Sequence, residues 1–265
     1  MSRGSESIEE LRKICQESRY ENEGGMPWVE RIFFRKISMY FTKICLKIGV
    51  SANQATLISF FIGIIGGSFF IFGDPKYWVV GALLLYPCTI FDRVDGEIAR
   101  YNNSASAAGE YWDAMCDIFL NSYRMTCMTF GIYSLFHELL VLIFGFIAVA
   151  SPLFSHISKL LAYKLELSPE ALVNGNDTKT KKSKKQRLFR FGSLIFNPHE
   201  SIVLAILAVA MIDLYIPAVT IVIPLIGSFM INARYVYIIL YGVAVLIVTI
   251  FRVHNVINKG TIPSF

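Results

Sequence analysis

The sequence predicts an all-α polytopic membrane protein, with six transmembrane helices preceded by an interfacial amphipathic helix. Three observations lead there. Of 265 residues, 54% are hydrophobic and only 17% are charged, with a mean hydropathy of +0.52. The apolar residues come in long runs, several near the length of about 20 residues that crosses a hydrocarbon core, and not in strand-like alternation. Lysines and arginines collect between those runs, in the N-terminal region and across Lys179–Arg190. That placement fits membrane orientation and argues against a nucleic-acid partner.

Residues 1–27 form a polar N-terminal segment, expected to be mobile, in which Ser7–Glu21 can form a short helix before Gly24-Gly25-Met26-Pro27 breaks it. No secretory leader is visible there, so the first apolar run is expected to act as its own insertion signal. From 28 to 48, Trp28, Ile32, Ile37, Phe41, Ile44 and Ile48 recur at helical spacing, with Arg31, Arg35, Lys36, Lys43 and Lys47 between them. This is the pattern of a helix lying in the membrane interface. Gly49 ends it, and Ser51-Ala52-Asn53 can cap the next helix.

The spans are expected at about 54–72, 78–100, 107–136, 139–163, 200–215 and 235–254. Gly73-Asp74-Pro75 turns the chain between the first two, and Ser168–Lys185 is a polar loop. The reading is open after Tyr215, where Pro217 and Pro224 interrupt an apolar stretch: Ala218–Met230 is either a continuation of the fifth span or an interfacial or re-entrant piece. With six spans, both termini, the second-to-third connection and the lysine-rich loop share one side, and only Lys76 and Arg234 sit at the loops of the other. The shared side is then cytoplasmic. The five cysteines form no C-x-x-C pair and read as small apolar fillers.

One stretch breaks the apolar pattern. Asp92, Asp95, Gly96 and Ala99 are spaced i, i+3, i+4 and i+7 on the end of the second helix, so they share a face. Gly109, Asp113 and Asp117 are spaced i, i+4 and i+8 on the start of the third. A short link, Tyr101–Ser106, lets the two helices run antiparallel and brings four carboxylates to one cleft. Four such groups cannot all stay ionised side by side without cations. Hard oxygen ligands with no His or Cys favour Mg²⁺, Mn²⁺ or Ca²⁺ over zinc. Paired metals about 3.5–4 Å apart are the usual arrangement for phosphoryl transfer. Gly96 and Gly109 remove side chains where the helices face each other, and Arg100 could neutralise a phosphate or hold a carboxylate. The residues therefore point to a metal-dependent site for a phosphate-bearing, lipid-linked substrate at the cytoplasmic face. A cation transporter is the rival of a different class: it accounts for the aspartates but not for the glycines and arginine.

The pattern Asp92-x-x-Asp95-Gly96-x-x-Ala99-Arg100-x8-Gly109-x3-Asp113-x3-Asp117 resembles the whole signature of the CDP-alcohol phosphotransferases. Asn53-x-x-Thr56 is similar to the family's N-terminal element. The resemblance implies that residues 28–265 form the family's membrane domain and act as a homodimer. It implies transfer of a phosphatidyl group from CDP-diacylglycerol, or from another CDP-linked donor, to a small alcohol, with release of CMP. Asp92, Asp95, Asp113 and Asp117 would hold two Mg²⁺ or Mn²⁺ ions, with Asp117 also the general base. Asn53, Thr56, Asp92, Gly96, Ala99, Arg100 and Gly109 would serve the nucleotide.

The acceptor is less legible. Relatives that use a phosphorylated acceptor often open the fifth helix with Glu-Arg, whereas here Glu200 is followed by Ser201. Lys159, Lys164, Glu200 and Arg252 are the candidates for the acceptor site.

Overall fold

The structure is a computed structural model; it describes residues 6–17, 34–164, 200–216, 219–223 and 227–259. In chain order the helices are α1 (Ile8–Arg12), α2 (Arg35–Ile48), α3 (Ala52–Ser68), α4 (Pro75–Tyr101), α5 (Ala107–Phe136), α6 (Leu139–Lys164), α7 (Glu200–Tyr215) and α8 (Ala233–Lys259). A π-helical stretch, Lys13–Glu17, continues α1, and a 3-10 turn, Phe69–Phe72, continues α3. The helical class holds, with one addition. Strands β1 (Val219–Ile223) and β2 (Gly227–Ile231) pair antiparallel, Val219 opposite Ile231. The described residues of the stretch left open in the sequence are thus paired strands, a geometry that lets adjacent segments satisfy each other's backbone groups where prolines would break a helix.

Among the described residues, two helices are long and apolar enough to cross a membrane, Ala52–Phe72 and Ala233–Phe251; Leu139–Phe154 and Val203–Tyr215 are shorter apolar helices. The chain divides into two compact units.

The first unit comprises residues up to Phe69 together with Val80–Leu120. Within the polar N-terminal segment, residues 6–17 are described and are helical from Ile8 on. Ser7 and Glu10 form a reciprocal capping box, Glu10 N donating to Ser7 Oγ at 3.2 Å and Ser7 N to Glu10 Oε2 at 2.8 Å. Leu11 and Cys15 are fully buried in a cluster with Met39, Leu46, Val94 and Ile98. Burial, and then the Glu97 carboxylate, push the Cys15 thiol up to about 11, so it is an inert thiol.

Helix α2 has an unusual pair of faces. Ser38, Met39, Thr42, Cys45 and Leu46 are buried, while Tyr40, Ile44 and Ile48 are 57%, 56% and 71% exposed. Residues 28–33 of the expected interfacial helix lie outside the described residues. Gly49, at φ 77°, closes α2 in the left-handed conformation that glycine adopts without a Cβ penalty. Ser51 then caps α3 with a second capping box.

Helices α3 and α4 pack antiparallel through small residues. Ser59 Oγ donates to the Cys88 carbonyl at 2.9 Å, and a Cβ on Gly66 would stand 3.2 Å from the Gly81 carbonyl oxygen. Close backbone approach of this kind is how membrane helices gain contact without a hydrophobic driving force. It sets Thr56 opposite the polar end of α4.

The second unit comprises Phe70–Val79 and the chain from Asn121 onward. Gly131 allows the backbone of α5 to meet the turn after α3: a Cβ there would fall 2.0 Å from the Phe70 carbonyl oxygen. Asp213 closes the base of the strand pair. Its carboxylate accepts from Ala233 N at 2.7 Å and from the Arg234 guanidinium. Arg234 also donates to the Gly73 carbonyl and lies 5.1 Å from the Trp78 ring centroid. Both side chains of the pair are 3% exposed. Truncating one partner strands the other charge, so Arg234→Ala should cost about 3–5 kcal/mol. A fall in the melting temperature of the purified protein, without change in the donor KM of the surviving fraction, is the expected readout.

Candidate active site

The carboxylates stand where two helices meet. Asp92 lies near the end of α4, and Asp113 and Asp117 lie in the first turns of α5. Asn103, at φ 49°, makes the turn between them, and the Asn102, Asn103 and Ser104 amides are satisfied by carbonyls of the last α4 turn. The 3.6-residue period then aims Asp113 and Asp117 to one side. Oxygens of Asp92, Asp113 and Asp117 all lie within 4.8 Å of one another, each side chain half-buried. Three anionic oxygens at that separation repel unless a cation sits among them. The donor set is all carboxylate, which fits a hard divalent ion.

Asp95 does not belong to that group of three. It is 6% exposed, accepts from Thr56 Oγ1 at 2.6 Å and from the Gly96 amide, and stays within electrostatic reach of Asp92 and Asp113. Thr56 is therefore placed to hold a carboxylate. It is itself buried, and its hydroxyl is also 3.2 Å from the Ala52 carbonyl. Asn53 is exposed in the first turn of α3.

Thr56→Val keeps the shape and removes the hydroxyl. A hydrogen bond to a charged group contributes about 1.5–3 kcal/mol, so a fall of roughly tenfold or more in turnover is expected, with Thr56→Ser close to wild type. Steady-state rates of the two variants test this.

The glycines differ in what they make room for. At Gly96 a Cβ would meet the Arg100 guanidinium at 3.2 Å. At Gly109 it would meet only Ser106 Oγ, at an ordinary 3.4 Å, so the space there is open. Ala99 is half-buried, and its carbonyl accepts from Ser104 N at 2.9 Å. Arg100 Nε donates to the Cys15 carbonyl at 2.6 Å. This contact ties the side chain to the N-terminal segment.

Sequence reasoning missed Glu97. It is 1% exposed and accepts from Gln16 Nε2 (2.8 Å), Ser38 Oγ (2.8 Å) and Thr42 Oγ1 (2.6 Å). One signal was available: Ser38 and Thr42 stand at i and i+4 on α2, off the apolar stripe.

Of the acceptor candidates, Lys159 and Lys164 fall on the last turns of α6, Glu200 opens α7 and Arg252 lies on α8. Their side chains, and the whole of Lys179–Arg190, lie outside the described residues.

The family model described as CDP-alcohol phosphatidyltransferase matches residues 50–212, which include the whole aspartate signature. The chain belongs to the CDP-alcohol phosphatidyltransferase family. It is accordingly an enzyme, a membrane-associated phosphatidyltransferase of phospholipid biosynthesis, and the transporter reading falls away. Two solved structures of Mycobacterium tuberculosis phosphatidylinositol phosphate synthase (PgsA1) share the fold. The one with CDP-DAG bound is 18% identical, with a TM-score of 0.59, covering 87% of this chain and 98% of that one. The one in complex with manganese and citrate is 20% identical, with a TM-score of 0.52, covering 86% and 93%. No curated protein matches the sequence.

Proposed function

We propose that this phosphatidyltransferase moves the phosphatidyl group of CDP-diacylglycerol to the hydroxyl of a small alcohol and releases CMP. The convergence of Asp92, Asp113 and Asp117 from two helices, in a chain of this family, is the observation that carries the reading. The CDP-DAG and the manganese bound by the two PgsA1 structures support the donor and the metal requirement.

Asp92, Asp95, Asp113 and Asp117 would hold two divalent ions, with Thr56 orienting the Asp95 carboxylate. Bound there, the cations offset the repulsion of the carboxylates and stabilise charge developing on the phosphate oxygens. Asp117 takes the proton of the acceptor hydroxyl. The freed oxygen bonds to the phosphorus that carries diacylglycerol, and the bond from that phosphorus to the CMP oxygen breaks. Gly96, Ala99 and Gly109 leave room for the nucleotide, with Asn53 beside it at the start of α3. Arg100 presents its guanidinium beside Gly96, where it can pair with a phosphate. The acceptor is a small alcohol, and Ser201 after Glu200, where relatives with phosphorylated acceptors often carry arginine, argues against a phosphate on it. Lys159, Lys164, Glu200 and Arg252 are its candidate contacts.

Six spans, a cytoplasmic site, cytoplasmic termini and a homodimer complete the proposal. The outward Tyr40, Ile44 and Ile48 of α2 support an interfacial helix, since an exposed apolar stripe on a helix whose other face is buried fits lipid as its partner.

The experiment is CMP release by purified protein with Mg²⁺, CDP-diacylglycerol and a panel of alcohols, each with and without a phosphate. Release that depends on one unphosphorylated alcohol supports the reading. Release only with a phosphorylated alcohol would change the acceptor class. Release only from a CDP-linked amino alcohol or CDP-inositol would overturn the donor.

A further inference from the structure

We propose that Glu97 is a positioning residue for donor binding: it clamps the N-terminal segment onto the signature helix, and that segment in turn orients Arg100. The proposal rests on the phosphatidyl-transfer reading above.

Glu97 sits on α4 between the carboxylates and Arg100 in sequence, and it is buried in the protein within electrostatic reach of the Arg100 guanidinium. A carboxylate with 1% exposure needs several donors to stay there. It has three, drawn from two segments distant in sequence: Gln16 from the N-terminal segment, and Ser38 and Thr42 from α2. Gln16 Nε2 also reaches the Arg35 carbonyl at 3.1 Å, which ties the two segments together at the same point.

The next residue along the N-terminal segment completes the chain of contacts. Cys15 presents its carbonyl to Arg100 Nε at 2.6 Å. An arginine side chain has several rotatable bonds, and this contact fixes the guanidinium by its inner nitrogen. The outer nitrogens then lie over Gly96, 3.2 and 3.5 Å from where a Cβ would stand. Further out, Tyr101 Oη donates to Glu6 Oε1 at 2.7 Å. Glu97, Arg100 and Tyr101 thus each hold the N-terminal segment, and Glu97 is the one that is buried and shared with α2. Without it, the Cys15 carbonyl loses its anchor one residue away, and the contact that holds Arg100 Nε is weakened.

A group that helps bind the donor equally in ground and transition states shows itself in KM with kcat unchanged. Loss of folded protein does the reverse, lowering the apparent kcat. The test therefore uses the full-length enzyme and measures kcat and KM for CDP-diacylglycerol in Glu97→Gln, Gln16→Ala, Arg100→Ala and the Glu97→Gln/Arg100→Ala double variant. Glu97→Gln should raise the donor KM about tenfold with kcat within about twofold, as expected for loss of charge-assisted hydrogen bonds. Arg100→Ala should raise it at least as much. The double variant should match Arg100→Ala alone, because residues acting through one contact are not additive.

An unchanged donor KM in Glu97→Gln, or full additivity with Arg100→Ala, would overturn the positioning role. Should Glu97→Gln fail to fold, Gln16→Ala carries the same test with the Ser38 and Thr42 donors intact. Amide exchange over Ile8–Glu17 gives a readout independent of turnover: it should speed up in the Glu97 or Gln16 variant, and unchanged protection would also overturn the clamp. Absence of CMP release in the wild type would instead sink the functional reading and leave the exchange result to judge the clamp.

Discussion

Asp117→Asn should lower CMP release by about 10³-fold, within the range that a positioned general base supplies. The substitution is nearly isosteric and leaves the oxygen that can still face a cation. What it removes is the proton acceptor and one negative charge. The fold should survive it. Oxygens of Asp92, Asp113 and Asp117 lie within 4.8 Å of one another, so neutralising one relieves repulsion in the metal-free protein. The melting temperature without divalent ions should therefore be unchanged or higher than in the wild type. Rates within tenfold of wild type would remove Asp117 as the base, and a collapse of the melting temperature would recast it as a structural residue.

Chelation of divalent ions should abolish turnover, and Mg²⁺ or Mn²⁺ should restore it fully. The physical basis is the donor set, three carboxylates with no imidazole or thiolate among the group. Zinc should restore little. A second readout avoids turnover altogether. An ion that binds only the folded state stabilises it by about 2.7 kcal/mol at a hundred times its Kd. Added Mn²⁺ should accordingly raise the melting temperature of the wild type, and much less that of Asp92→Asn. Undiminished activity after exhaustive chelation would end the metal-dependent reading, whatever the aspartate variants show.

The helical class and the carboxylate cluster were legible in the sequence because both depend on local periodicity. Apolar runs of membrane length specify helices wherever they fall. Likewise, Asp113 and Asp117 share a face by spacing alone, and the short Tyr101–Ser106 link leaves α4 and α5 few ways to run except side by side. The pairing of β1 and β2 was not legible, because Pro217 and Pro224 mark where a helix cannot continue without saying what replaces it. The acceptor was not legible either. Its candidates, Lys159, Lys164, Glu200 and Arg252, are scattered in sequence, and no spacing rule links them.

Two residues show the limit most clearly. Asp95 reads from its spacing as an equal of Asp92, yet it is the one buried and bonded by Thr56, a hydroxyl 39 residues earlier in the chain. Glu97 reads as one more charge at a helix end, yet it is the buried acceptor for donors 81, 59 and 55 residues away. By itself the sequence determined that this is a helical membrane protein with a carboxylate site built on two consecutive helices, since each of those facts is written within one or two helical turns. The tertiary structure alone decided which carboxylates face one another and which are held by the protein, and that Leu11 and Cys15 of the N-terminal segment are part of the core. Those outcomes turn on hydrogen bonds between residues far apart in the chain, whose partners become known only once the helices have packed.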